Sequence, residues 1–245
     1  MSFFCKIIFC LILVSTKLGA QYHEIGAFLG GSNYVGDIGS TRYVYPNSSA
    51  FGLVYRWNLK TRYSLRAGIN LSKIKGSDYD TGDLNRFKRG YKFNNTIKEG
   101  ILGIEFNFID FNLHDGKPVY TPYTFFGLSY FQFNRIGFTP PGKSPVNYRD
   151  YLNDAQTFYD SNMAIPIILG IKMNPNPLWV IGLEIGIRYT LTDAIDGSIL
   201  SYDSTIDPKD PTNPEFGNIN NNDWYVFTGL TISFTFGDLP CYCKE

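Results

Sequence analysis

Five charged side chains stand where charge is expensive to bury. Arg56, Arg66, Glu105, Glu184 and Arg188 all fall in runs that alternate apolar residues with small polar ones. Each takes the small-polar parity. In residues 63–72, Tyr63, Leu65, Ala67, Ile69 and Leu71 share one parity, while Ser64, Arg66, Gly68, Asn70 and Ser72 share the other. Successive residues of a strand point to opposite faces, so Arg66 shares a face with glycine, asparagine and serine. A guanidinium on such a face must be paired and hydrogen-bonded, because desolvating a lone charge costs several kcal/mol, on the order of a whole protein's stability. Two chemistries fit: a packed network of ion pairs, or a polar conduit for small ions.

Covalent chemistry finds less support. A hydrolase of this kind needs a nucleophile beside a base, most often histidine. The only histidines are His23, opening the first alternating run, and His114, in a short connection. The stretch 191–223 is acidic, with Asp193, Asp196, Asp203, Asp207, Asp210, Glu215 and Asp223 against Lys209 alone. Its spacing matches no regular calcium loop, so no metal or cofactor is expected. A basic stretch at 84–98 carries Arg86, Lys88, Arg89, Lys92 and Lys98. It could pair with the acidic stretch, touch lipid phosphates, or stay solvated.

The elements that position these residues read as strands. Alternation recurs near 22–31, 50–58, 62–73, 96–108, 120–133, 164–173, 178–190 and 224–236. Each run is close to the roughly 9–11 residues that a tilted strand needs to cross a bilayer. Short connections (58–61, 110–118, 174–177) alternate with long ones (32–49, 74–95, 134–163, 191–223). Outer-membrane barrels have short periplasmic turns and longer external loops. The expected fold is therefore all-β, an eight-stranded antiparallel transmembrane barrel over 21–236, without helix of note. Eight strands enclose an interior just wide enough for side chains, which favours the packed network over the conduit.

Composition agrees. Aromatics make up 17% of the chain, with 20 Phe and 18 Tyr, more than a soluble core readily takes and in keeping with a lipid-facing surface and its girdles. Twenty-two basic residues balance 22 acidic ones, so no nucleic-acid partner is indicated. Residues 1–20 read as a cleavable signal, with Lys6 before a short apolar core and small residues before Gln21. Beyond 236 a tail, 237–245, enters the periplasm with Cys241, Tyr242 and Cys243. A Cys-x-Cys disulfide closes a strained ring. The tail either bonds or anchors to a partner, or is frayed.

Several strings together carry a resemblance. Residues 86–99 (RFKRGYKFNNTIKE) and 103–108 (GIEFNF) resemble the second hairpin of the PorG-like barrels of the type IX secretion system. Residues 121–128 (TPYTFFGL) look like that family's fifth strand. Residues 184–196 (EIGIRYTLTDAID) resemble its rim motif, in which a strand runs into Asp193 and Asp196; Ala194 and Gly197 depart from the family's aromatic and second acidic residue. The opening 22–26 (YHEIG) with 36–39 (GDIG) and the closing Cys241 and Cys243 also fit. The resemblance implies a non-catalytic component of the cell outer membrane, in contact with surrounding lipids. It would associate, through its turns and tail, with a periplasmic ring lipoprotein and that lipoprotein's soluble partner. A stand-alone barrel binding an external ligand through its loops is the alternative.

Overall fold

The computed structural model describes residues 22–113, 118–134, 159–197 and 222–237. Eight antiparallel strands close on themselves in chain order: β1 (Tyr22–Val35), β2 (Ser48–Asn58), β3 (Tyr63–Ser77), β4 (Lys92–Asn107), β5 (Val119–Asn134), β6 (Tyr159–Asn176), β7 (Trp179–Thr190) and β8 (Trp224–Phe236). β8 returns to β1 through a register running from His23 opposite Phe236 to Val35 opposite Trp224. Closure leaves no sheet edge, which a bilayer demands because no water is present to satisfy exposed backbone groups.

The molecule is inside-out relative to a water-soluble barrel. Outward positions are apolar and open: Leu102 is 65% exposed, Phe126 62% and Ile69 61%. Inward positions include Arg56, Glu24 and Glu105, all at 0%. A broad apolar belt of this kind is far beyond what a soluble monomer exposes and is the surface of an outer-membrane barrel. No helix among the described residues is long and apolar enough to cross a membrane. Aromatic side chains gather near the strand ends. His23 stacks between Tyr55, Trp57 and Phe236 at one end, and Trp224 meets Tyr189 and Tyr43 at the other.

The short connections, 59–62, 108–118 and 177–178, all lie at the end where β1 begins and β8 finishes. That end is periplasmic by the length rule. Each turn is held by local bonds. Leu59 N–H and Lys60 N–H donate to the Tyr63 carbonyl. The Asn176 Oδ1 accepts from Leu178 N–H and Trp179 N–H, a side-chain turn that Pro177 helps to preset. Pro166 sits inside β6, where the ladder to β5 skips Gly127 and Leu128. Proline has no N–H to give, so the gap falls where a ladder bond is missing in any case.

Three sequence expectations need correction. Most strands are longer than the alternating runs, mainly at the external ends: β3 reaches Ser77, β4 starts at Lys92 and β6 at Tyr159. Lys92 is therefore a strand residue and not part of a basic loop, and Lys98 lies in β4 as the run 96–108 expects. Helix is also present, as a 3-10 turn at Asp78–Asp80 and a short helix, α1 (Leu84–Arg89). Asp83 caps α1 by accepting from Asn85 N–H, and Gly90 closes it at φ 69°, a left-handed conformation that favours glycine. The 1–20 leader, His114, Asp203, Asp207, Lys209, Asp210, Glu215 and the tail with Cys241, Tyr242 and Cys243 lie outside the described residues.

Candidate functional site: a sealed lumen and its two mouths

Period-two alternation points Arg56, Arg66, Glu105, Glu184 and Arg188 into the lumen, and the register brings them to one another. Glu105 is the hub. Its Oε2 accepts from Arg56 Nε at 2.9 Å and Arg66 Nη1 at 3.3 Å, and its Oε1 from Lys172 Nζ at 2.6 Å. Arg66 also grips Glu184 with both terminal nitrogens, at 2.9 and 2.8 Å. The Tyr123 hydroxyl donates to the same carboxylate at 2.6 Å. Arg56 reaches back to Glu24 at 3.2 Å, and Asn58 Nδ2 donates to the other Glu24 oxygen at 2.8 Å. Three cations thus meet three carboxylates.

A second group lies nearer the external end. Glu99 accepts from Arg188 Nε at 3.2 Å, Tyr225 Oη at 3.0 Å, Ser129 Oγ at 2.8 Å and Asn70 Nδ2 at 2.8 Å. Arg188 also donates to the Gly186 carbonyl and lies 4.2 Å from the Phe227 ring centroid. Glu184 and Arg188 share a face of β7, as their spacing requires. They do not pair with each other: each finds its counter-ion across the lumen. Balanced charge, bidentate geometry and further hydrogen bonds are the conditions under which buried ion pairs are tolerated.

Glycines make the room. Gly103 of β4 faces Gly127 of β5 directly. A Cβ on Gly103 would stand 2.3 Å from the Phe126 carbonyl oxygen and 2.9 Å from the Phe125 ring. Phe125 itself underlies the Arg66 guanidinium at 5.4 Å. A side chain at Gly103 would push into the layer that carries the ion pairs.

Both mouths are stoppered. At the periplasmic end Phe111 and Leu113 of the 108–118 connection fold inward onto Val180. Lys172 Nζ lies 4.9 Å above the Phe111 ring. The external half of the lumen holds an apolar cap of Phe28, Tyr34, Ile97, Phe131, Phe133, Phe227 and neighbours, closed from above by Ile38 and Ile195 of the external loops.

Asp193 and Asp196 stand at this external rim, at 8% and 0% exposure. The Tyr34 hydroxyl contacts Asp196 at 2.7 Å and also Asp223. One hydroxyl hydrogen cannot serve two carboxylates. Burial, with the charge of Asp196 next, raises Asp223 well above the ordinary carboxylate range, which favours its protonated form. Asp223 Oδ2 accepts from Ile195 N–H at 3.0 Å and holds the 190–197 segment over the cap. Asp193 is raised to about 7, by burial first and then by Asp196 and Asp37. The described part of the acidic stretch therefore meets Tyr34 of the first hairpin, and it also meets the 84–98 stretch, where Asn95 Nδ2 donates to the Ile195 carbonyl at 2.8 Å.

That basic stretch is also not simply solvated. Arg86 donates to the Gly36 and Gly39 carbonyls at 2.9 and 3.0 Å. Arg89 donates to Asp78 and to the Asp37 carbonyl. Asp78 is wholly buried and also accepts from Gly39 N–H and Tyr91 N–H. These bonds latch the 36–47 loop to the 78–91 loop.

Glu24, Glu99, Lys172, Tyr123 and Tyr225 belong to the lumen networks and were not among the expected residues. The parity that selects Glu105 also selects Glu99 and was available in the sequence. Lys172 was obscured, because Ile167, Ile168 and Leu169 make both faces of β6 apolar. Among the described residues no group of three or more His, Cys, Asp or Glu is arranged to hold a metal. His23 stands on the outer wall near the periplasmic end, bonded to the Tyr55 hydroxyl at 2.8 Å.

Comparison with known proteins gives the following. No curated protein matches the sequence. Among solved structures, the attachment invasion locus protein Ail of Yersinia pestis is similar at 10% identity in complex with a heparin analogue and at 11% alone, each with a TM-score of 0.45, covering 89% of this chain and 99% of that one. The outer membrane protein OprG of Pseudomonas aeruginosa is similar at 9% identity and a TM-score of 0.43, covering 89% and 96%. A major outer membrane protein of Thermus thermophilus is similar at 15% identity and a TM-score of 0.42, covering 89% and 100%. A family model matches residues 2–245, nearly the whole sequence, and by that match the chain belongs to the family described as a domain of unknown function, DUF6089.

Proposed function

We propose that this barrel is a non-catalytic outer-membrane component of the type IX protein secretion and gliding apparatus. It anchors or positions a periplasmic ring lipoprotein and that lipoprotein's soluble partner. One observation carries the non-transporting part of this reading. Among the described residues the lumen holds balanced ion pairs, with an apolar cap toward the external end and Phe111 and Leu113 at the periplasmic end. Activity then falls to the surfaces at the two ends. The secretion system itself is implied by the resemblance of the strings at 86–108, 121–128 and 184–196, in that order, to the PorG-like barrels.

The test is a mild-detergent pull-down of the tagged protein from native membranes after crosslinking, with co-purifying proteins identified by mass spectrometry. Stoichiometric recovery of a periplasmic lipoprotein and its soluble partner is expected. Trimming residues 237–245, or replacing Cys241 and Cys243, is expected to disturb secretion while the barrel still inserts. Recovery of the barrel alone would overturn the assembly reading and return attention to the external loops of a stand-alone barrel.

A further inference from the structure

The outer wall of one hairpin departs from the rest of the exterior. On β3 the outward residues run Tyr63, Leu65, Ala67, Ile69, Leu71, then Lys73 and Lys75. On β4 they run Phe106, Ile104, Leu102, Gly100, then Lys98, Thr96, Asn94 and Lys92. The register sets Leu71 opposite Lys98, Lys73 opposite Thr96, Lys75 opposite Asn94 and Ser77 opposite Lys92. Lys73 and Lys98 are therefore diagonal neighbours, and so are Lys75 and Lys92, with Cα atoms about 7–8 Å apart. All four are exposed.

Among the described strand residues of β2 to β5 no carboxylate shares this wall, and Asp80 of the loop above lines a depression beside Lys75 alone of the four lysines. Glu99 and Glu105 of β4 face the lumen. The outward residues of β2 (Ser49, Phe51, Leu53, Tyr55, Trp57) and of β5 (Tyr120, Pro122, Thr124, Phe126, Leu128, Tyr130, Gln132, Asn134) are uncharged. The cluster stands at the external end, immediately above the apolar belt formed by Ile69, Leu71 and Leu102. Lys98 Nζ lies 5.3 Å from the Tyr159 ring centroid and Lys92 Nζ 4.8 Å from that of Tyr79. The rings orient these ammonium groups without neutralising them.

We propose that Lys73, Lys75, Lys92 and Lys98 form a binding surface for the phosphate-bearing headgroup of a glycolipid in the outer leaflet. Four like charges at the border of a hydrocarbon belt repel one another unless anions stand between them. In a leaflet, phosphates occupy that depth while acyl chains lie along the apolar wall beneath. Lysine suits the role as a compact charge on a flexible stem that reaches from the belt to the headgroup. Arg86 and Arg89 are excluded, because both are turned inward to carbonyls and to Asp78. The inference needs only the barrel in its membrane and is independent of any periplasmic partner.

The test uses the barrel refolded in neutral detergent and titrated with bis-phosphorylated lipid A, with dephosphorylated lipid A as the comparison probe. Bound lipid is read by native mass spectrometry. The wild type is expected to prefer the phosphorylated probe, to keep that preference when millimolar inorganic phosphate is present, and to lose it as ionic strength rises. Each Lys→Gln change is expected to weaken the preference on the order of fivefold. The combination of Lys73→Gln, Lys75→Gln, Lys92→Gln and Lys98→Gln is expected to abolish it, with heat-modified gel mobility confirming the fold. Lys60→Gln, in a periplasmic turn, is the control without effect. Equal retention of the two probes by the wild type would overturn the proposal whether or not the quadruple variant folds. An undiminished preference in the folded quadruple variant would overturn it too. Either result leaves the assembly reading standing, and failure of the pull-down leaves this surface untouched.

Discussion

Glu105 is the residue on which the lumen turns, because three cations converge on it. Glu105→Ala leaves Arg56 and Lys172 without their best counter-ion in a space closed to water. Breaking one partner of a buried pair costs about 3–5 kcal/mol. That loss is the expected shift in urea unfolding measured in lipid vesicles. Pairing it with Lys172→Met removes one orphaned cation and is expected to recover part of the loss. If the double variant is less stable than the additive sum, the hub is not organised by charge. The rim behaves differently, since Asp193 holds its proton up to about 7. A carboxyl whose folded value is raised contributes its stability in full below the unfolded value, about 4, and loses it as pH rises through the folded value. The 190–197 segment is therefore expected to protect its amides better at pH 5 than at pH 8, after correction for intrinsic exchange chemistry. Asp193→Asn should flatten that difference. A wild-type profile with no pH dependence would contradict the raised value.

At the scale of elements, the barrel was legible because membrane strands carry a strict period of two, and one slip of register would turn every charge into lipid. Tyr63 to Ser72 and Ile181 to Thr190 show that parity without interruption, and both strands lie where it placed them. Where parity blurs, the strand ends are hidden. The outward residues Lys73, Lys75, Lys92 and Asn94 are polar, so the external ends of β3 and β4 lose their alternation and resemble loop sequence. The latch through Asp78 was illegible for a different reason: its partners are backbone amides and an arginine supplied by the fold and not by spacing. Arg89→Ala is expected to free the 78–91 loop, seen as faster protease cleavage at the surface of intact cells, while the barrel stays inserted. The glycines give a sharper contrast. Gly103→Ala forces a Cβ against the Phe126 carbonyl and is expected to cost about 1–3 kcal/mol by overpacking. Gly82→Ala, with open space around it, should change stability by no more than about 0.5 kcal/mol.

At the scale of the whole molecule, two barriers stand in series along the axis. The first is the polar layer of Glu24, Arg56, Arg66, Glu105, Lys172 and Glu184, where every carboxylate is engaged by a cation. The second is the apolar cap above Glu99, where Phe28, Phe131, Phe133 and Phe227 pack together. An ion crossing the barrel would have to break balanced pairs and then lose its hydration among aromatic rings. The wild type is therefore expected to show no conductance steps in planar bilayers. Opening one barrier should not be enough: Arg66→Ala combined with Glu184→Ala loosens the polar layer and leaves the cap intact, so that variant too is expected to stay silent. Reproducible steps in the wild type would return the lumen to the conduit reading. Steps in the double variant alone would place the whole seal in the ion-pair layer and make the cap a consequence of packing, not a second barrier.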